Sequence, residues 1–100
     1  MKRTLIRYKT RPETTQQNRK LIEDVFYELQ AKSPDGVRYM VLTLGDGTFL
    51  HLVETGDGDS SLPQLDAFKS FQGSVRDRCA EPPQVSEATI VGNYRMLGER

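Results

Sequence analysis

Apolar residues along this chain follow two spacings in turn. Over residues 4–9, Leu5, Ile6 and Tyr8 stand among basic neighbours, which predicts a short strand. Leu21, Ile22, Val25, Phe26 and Leu29 then recur at helical spacing, with Arg19, Lys20, Glu23, Asp24 and Glu28 on the opposite side. That stripe predicts an amphipathic helix. Thr10-Arg11-Pro12-Glu13 supplies a cap residue, an early proline and a following acid, so the helix starts there. Ser33-Pro34-Asp35-Gly36 stops it after about Lys32. Residues 37–44 and 48–54 read as strands of one hairpin, joined at Gly45-Asp46-Gly47. Leu62-Pro63 opens a second helix, in which Leu65, Phe68, Phe71, Val75 and Cys79 form an apolar stripe reaching about Ala80. Gly73 weakens its middle, and close packing against the sheet would account for it. Glu81-Pro82-Pro83 ends this helix, and residues 85–94 read as the last strand, with a frayed tail after Met96.

Strand, helix, strand, strand, helix, strand is the split βαβ order. The fold class is α+β: a ferredoxin-like βαββαβ domain spanning residues 1–100, with a four-stranded antiparallel sheet and two helices on one face. The hairpin complicates this picture. Val37, Tyr39 and Val41 alternate with Met40, Leu42 and Leu44, and Leu50 and Leu52 alternate with Phe49 and Val53. A sheet with one wet face alternates apolar with polar residues. This one is apolar on both faces, so the face away from the helices needs a cover, and a second copy of the chain is the simplest one. The expectation is a homodimer closed sheet against sheet as a dimeric α/β barrel.

Composition narrows the function more than it defines it. The 100 residues are 36% hydrophobic and 28% charged, with 14 basic and 14 acidic side chains and no net charge. Such a chain has no general attraction for phosphate backbones or anionic lipid, and nucleic acid is not expected as a partner. Acidic and basic residues are unevenly spread: residues 1–32 carry eight basic and four acidic side chains, residues 33–66 one and six. Solvated surface and loops explain this first, with electrostatic complementarity between the halves of a dimer as the alternative. No apolar run approaches the roughly 20 residues that cross a bilayer, so no membrane association is expected. Arg7 and Lys9 interrupt any signal-peptide core, and the lone Cys79 has no internal disulfide partner. A cytoplasmic location is the expectation. The Asp/Gly loop at residues 55–61 lacks the spacing and terminal acid of a calcium loop.

His51 is the only histidine and falls mid-strand. It is either a hydrogen-bonded core histidine or a general base in a pocket. A metal site is not expected, because such sites need three or more ligands. Tyr39 shares the hairpin, and Tyr8 and Tyr94 fall on the outer strands. Their apolar bodies and polar tips suit a cavity for an aromatic ligand or a plain dimer interface. Arg7 and Arg38 lie on strands, where a buried arginine pairs with an acid or an anionic ligand and an edge arginine meets solvent. Arg76-Asp77-Arg78 reads as a solvated helix end, with Cys79 a structural thiol on the apolar stripe. No Ser-His-Asp arrangement, phosphate loop or dinucleotide fingerprint is present.

Several stretches resemble the dimeric α+β barrel superfamily, and within it the antibiotic-biosynthesis-monooxygenase-like (ABM) domains of an uncharacterised bacterial subgroup. Asn18 to Leu29 is similar to their first helix. Gly36-Val37-Arg38-Tyr39 and Asp46-Gly47-Thr48-Phe49-Leu50-His51-Leu52 resemble their central hairpin. Ala67-Phe68-Lys69-Ser70-Phe71-Gln72, Arg76-Asp77-Arg78-Cys79 and Pro82-Pro83 resemble their second helix and its exit, and Val91-Gly92-Asn93-Tyr94-Arg95 their final strand. The resemblance, over about residues 3–96, implies a homodimer and a pocket between sheet and helices. Some members oxygenate polyketide-like aromatics without metal or flavin, and others degrade haem. The haem-degrading members combine Asn, Trp and His, and this chain has no Trp, so no cofactor is expected. Two functions follow. One is a cofactor-independent monooxygenase or isomerase for a small aromatic compound, with His51, Tyr39 and Arg38 lining its pocket and His51 taking a proton. The other is a non-catalytic dimeric protein that binds a small hydrophobic ligand or serves as an accessory.

Overall fold

The computed structural model describes residues 2–55 and 61–96. Strand β1 is Lys2–Thr10, helix α1 Thr15–Lys32, β2 Arg38–Thr43, β3 Thr48–Thr55, α2 Asp66–Gly73, α3 Val75–Arg78 and β4 Cys79–Glu87. Single 3-10 turns, Pro12–Thr14 and Leu62–Gln64, lead into α1 and α2. The four strands form one antiparallel sheet in the order β2-β3-β1-β4. This is the ferredoxin-like α+β arrangement.

The first half of the chain follows its sequence pattern closely. Helix α1 buries Ile22 and Val25 from its stripe. It stops at Ser33, which takes a left-handed conformation (φ 44°) while its N–H reaches the Leu29 carbonyl at 2.7 Å. Its start differs from expectation. Thr10 is the last residue of β1, and its hydroxyl meets the Thr15 hydroxyl at 2.8 Å and the Gly47 carbonyl at 3.1 Å instead of capping the helix.

The second half departs further. The second helix does not run to Ala80. It breaks at Ser74 and finishes at Arg78, and Cys79 is already strand. The last strand is therefore Cys79–Glu87, not residues 85–94, and Tyr94 lies beyond it, 81% exposed. Pro82 and Pro83 sit inside β4 because that strand is an edge, paired only with β1, and its register slips between Arg7 and Lys9. A proline lacks the N–H that an interior strand needs but is tolerated at an edge or a bulge. Gly73 does not mark close packing either: an added Cβ would meet nothing within 4 Å.

The helices cover one sheet face, where Phe49, Val25, Ile22, Leu65, Phe71 and Val75 form the core. The other face carries Leu5, Leu52 and Met40 in one row across three strands, with Leu50 and Leu42 in the next. Leu42 is half exposed. At one end of this face Glu54 pairs with Arg3 and, at 3.1 Å, with Arg38.

The hairpin turn depends on Gly47, whose φ of 89° is a region that side chains disfavour. A Cβ there would stand 3.3 Å from the Thr10 carbonyl oxygen. Gly47→Ala is expected to lower stability by about 1–2 kcal/mol. Gly45→Ala, where a Cβ meets nothing within 4 Å, should show no such loss in the same urea titration.

Candidate functional site

Three strands aim aromatic side chains at one point beneath the helices. His51 on β3 stands opposite Ile6 of β1 and Val41 of β2. Tyr8 and Tyr39 lie two residues along those strands, so alternation puts all three side chains on the helix side, diagonal to one another. The Tyr39 hydroxyl lies 2.6 Å from His51 Nδ1, and the Tyr8 hydroxyl lies 2.7 Å from His51 Nε2. Both imidazole nitrogens are therefore engaged by phenols.

The chain of hydrogen bonds continues into the helices. Asn18 of α1, fully buried, donates from Nδ2 to the Tyr8 hydroxyl at 2.9 Å. Asn18 Oδ1 accepts from Arg78 Nε at 2.8 Å. Arg78, only 2% exposed, also donates to the Ser74 hydroxyl at 2.6 Å and to the Phe71 carbonyl at 2.8 Å. Its guanidinium lies 5.3 Å from the centre of the Phe71 ring. Among the described residues no carboxylate lies within ion-pairing distance of it. Each of these hydrogen bonds ends on a neutral group, and Asp77 adds a longer-range attraction.

Ring packing fixes these groups. Tyr39 stacks on Phe26 at 5.0 Å and meets the edge of Phe68 at 6.3 Å. His51 stacks on Phe71 at 5.3 Å, and Tyr8 on Phe49 at 5.6 Å. Tyr39, His51, Tyr8, Phe68, Phe71 and Val85 line a cavity of about 340 Å3 between sheet and helices. That is within the size range of small-ligand sites. A hollow of about 420 Å3 between α1 and the β2 edge is larger, but its charged lining, Arg19 and Glu23, is an exposed ion pair 3.7 Å apart. No buried polar network opens into it.

The expected site residues separate. His51 and Tyr39 come together in the cavity. Arg38 is on the opposite sheet face with Glu54, beside a hollow of about 240 Å3 that Arg3 and Met40 share. Arg7 is solvent-facing, 3.8 Å from Glu81. Tyr94 is remote, and Cys79 is half-buried with its thiol bonded to the Val75 carbonyl at 3.1 Å. Burial pushes that thiol up, away from reactivity. The Arg76-Asp77-Arg78 cluster is not wholly solvated, because Arg78 is buried. Asn18 and Arg78 were missed as site residues, yet each falls on an apolar stripe: Asn18 precedes Ile22 and Val25 by four and seven residues, and Arg78 follows Val75 and Phe71 by three and seven. A polar residue on a buried stripe was the available signal. The Asp/Gly loop lies outside the described residues, apart from its ends. Among the described residues no group of three or more His, Cys, Asp or Glu side chains is placed to hold a metal ion, and no helix is long and apolar enough to cross a membrane.

Burial pushes the His51 imidazole down to about 4 and raises both Tyr8 and Tyr39 well above the usual phenol value. His51 is thus neutral at pH 7, with the buried Arg78 linked to it through Tyr8 and Asn18 and with Arg76 and Asp77 lining the same cavity. Between about pH 4 and 6.5 the unfolded chain binds a proton at this histidine and the folded chain does not. Stability therefore rises with pH across that window and is lost as pH falls, by about 3 kcal/mol in total. Glu28 and Asp46, held low by Lys32 and by Thr48, push in the same direction at lower pH. Urea unfolding at stepped pH checks the slope. The proton resonances of the single histidine should stay flat from pH 8 to 5, whereas a midpoint near 6.5 would contradict the neutral, buried ring.

No family model matches the sequence, and no curated protein matches it. Solved structures do. A candidate antibiotic biosynthesis monooxygenase of Nitrosomonas europaea superposes with a TM-score of 0.73 at 15% identity, over 92% of this chain and 100% of that one. A conserved protein of Methanosarcina mazei gives 0.71 at 17% identity, over 87% and 89% of the two chains. Rv0793 of Mycobacterium tuberculosis gives 0.66 at 20% identity, over 92% and 96%. At these identities the likeness is one of fold, and the fold of this chain is that of the ABM-like domains.

Proposed function

We propose that this protein is a cofactor-independent monooxygenase for a small, enolisable aromatic or polyketide-like compound. The observation that carries this reading is the buried Tyr39–His51–Tyr8 chain at the wall of a 340 Å3 aromatic cavity. An aromatic compound lies against Phe68 and Phe71 in this cavity, with its oxygen toward Tyr39. Held so, the bound compound is stabilised as its enolate, having released a proton to solvent. The electron-rich carbon then meets O2. A CH2 group becomes C=O: the carbon takes one oxygen atom, and the other leaves as water with the two hydrogens. Names among the structural neighbours support this reading, since several are called antibiotic biosynthesis monooxygenases or candidates for that activity. Tyr39 is the residue assigned to the reacting oxygen, and His51 holds it in place. Arg38, on the far side of the sheet, is assigned to the interface described next.

The working form in this reading is a homodimer. The row of Leu5, Leu52 and Met40, flanked by Leu50 and Leu42, is apolar surface on the face that no helix covers, and a matching face of a second copy excludes water from both. Glu54 with its two arginines would lie at the rim of that contact. The alternative, a non-catalytic dimeric ligand-binding or accessory protein, uses the same cavity without the oxygen step.

Oxygen consumption with anthrones and quinols decides between them. The enzyme reading expects uptake that falls at least tenfold in kcat/KM in both His51→Gln and Tyr39→Phe; binding without uptake across such a panel favours the accessory protein. Light scattering should report a particle of twice 11.4 kDa, and Leu52→Asp should shift it to the monomer. A well-folded wild-type monomer at micromolar concentration would overturn the dimer.

A further inference from the structure

The hydrogen bonds of the site have only one self-consistent direction, and it starts at Arg78. An arginine side chain donates and never accepts. Its Nε bond to Asn18 therefore fixes the Asn18 oxygen toward Arg78 and the Asn18 amide toward Tyr8. The Tyr8 hydroxyl accepts from Asn18, so its own proton needs another acceptor. His51 Nε2, at 2.7 Å, is the one protein atom in reach among the described residues. Nε2 is then the unprotonated nitrogen of a neutral ring, and Nδ1 bears the proton. Nδ1–H donates to the Tyr39 oxygen at 2.6 Å. The Tyr39 hydroxyl proton has no protein acceptor among the described residues, and Tyr39 lines the cavity.

The reverse direction fails at Tyr8. With Nε2 protonated, Tyr8 oxygen would accept from both His51 and Asn18. Its proton would then lie in a residue 2% exposed with no acceptor, at a cost of about 1–3 kcal/mol. In the forward direction the spare proton belongs to Tyr39, which is only half-buried.

We propose that Arg78, Asn18, Tyr8 and His51 form a one-way relay that presents the Tyr39 hydroxyl as the cavity's hydrogen-bond donor, for the oxyanion of a planar aromatic ligand such as a phenolate or enolate. Tyr39 is the residue that touches the ligand, and the other four are positioning residues. The proposal rests on the cavity being an aromatic-ligand site, as above, and adds which group binds the ligand oxygen and with what polarity. It replaces a free imidazole base with a donor backed by a buried cation. Each bond of the relay polarises the next toward Tyr39, and a donor fixed in advance in a water-poor site stabilises developing negative charge strongly.

Because the chain has one histidine, nitrogen-15 labelling of histidine reads the tautomer without ambiguity. The wild type should show the proton on Nδ1; a proton on Nε2 overturns the relay. Asn18→Asp keeps the shape and gives Arg78 a carboxylate, but that carboxylate accepts from Tyr8 as well as from Arg78. The relay then reverses, the proton moves to Nε2, and Tyr39 turns its hydroxyl inward. An unchanged tautomer in a folded Asn18→Asp variant overturns the proposal, and the wild-type measurement stands if that variant fails to fold. The ligand arm uses 4-nitrophenolate against nitrobenzene, matched in ring and differing in the oxyanion. Wild type should prefer 4-nitrophenolate at least tenfold, and Tyr39→Phe should abolish the preference. A preference retained in Tyr39→Phe removes Tyr39 as the donor. Failure of both probes to bind, with Nδ1–H in place, overturns the aromatic-cavity reading and the proposal with it. An Nε2 proton with 4-nitrophenolate still bound overturns the relay alone and leaves the cavity standing.

Discussion

A buried guanidinium with no carboxylate in ion-pairing distance among the described residues organises this structure. Removing an ion from water is costly, and a lone buried charge survives only where fixed dipoles replace its hydration. Arg78 finds these in three separate elements: Asn18 from α1, Ser74 from the break between helices, and the Phe71 carbonyl from the end of α2. The break is what frees that carbonyl. The last turn of a helix leaves its C=O groups without intrahelical partners, and stopping α2 at Gly73 places the Phe71 carbonyl among them. The Arg78 carbonyl in turn accepts from the Thr14 hydroxyl at 2.7 Å and the Arg11 N–H at 3.0 Å, tying the start of β4 to the entry of α1. One residue thereby ties α1, α2, the end of β1 and the start of the edge strand β4 together beside the cavity.

The sheet serves two different neighbours. Its helix-facing side is a packed aromatic floor crossed by one hydrogen-bonded line, with the Thr10–Thr15 hydroxyl pair at the end of β1. Its other side is an aliphatic platform of leucines and a methionine, with Arg3, Arg38 and Glu54 at one end and Arg7 in the row of Leu50 and Leu42. Period-two alternation makes this division strict: Tyr39 and Arg38 are sequence neighbours and cannot reach the same site.

That strictness also explains what was legible in the sequence. The hairpin, α1 and the strand-helix order were visible because each has a clear period and a clear stop. The position of His51 beside Tyr39 was visible as two residues of one hairpin, but assigning Arg38 to the same pocket ignored alternation. The second half was harder for two reasons. Cys79 continued the helical stripe although the helix had ended one residue earlier, and Pro82-Pro83, a strong stop signal, is compatible with an edge strand carrying a bulge. Arg78 was hidden by its neighbours: Arg76 and Asp77 make the run look like a solvated end, and burial depends on a break at Ser74 whose local signal, Gly73, reads equally as close packing within one long helix.

The buried cation and the neutral histidine are linked consequences of one arrangement. A protonated imidazole at His51 would place a second positive charge in the same interior as Arg78, with no carboxylate among the described residues in ion-pairing distance of either. Neutrality leaves His51 one lone pair, and Tyr8 occupies it. A histidine so placed is poorly suited to take a proton from a ligand directly. It is well suited to hold a phenol in register, since stacking on Phe26 and contact with Phe68 already restrict the Tyr39 ring and the Nδ1 bond fixes its oxygen. The chemistry such a wall favours is stabilisation of negative charge on a bound oxygen, in which the protein lowers the energy of the ionised ligand without itself changing charge.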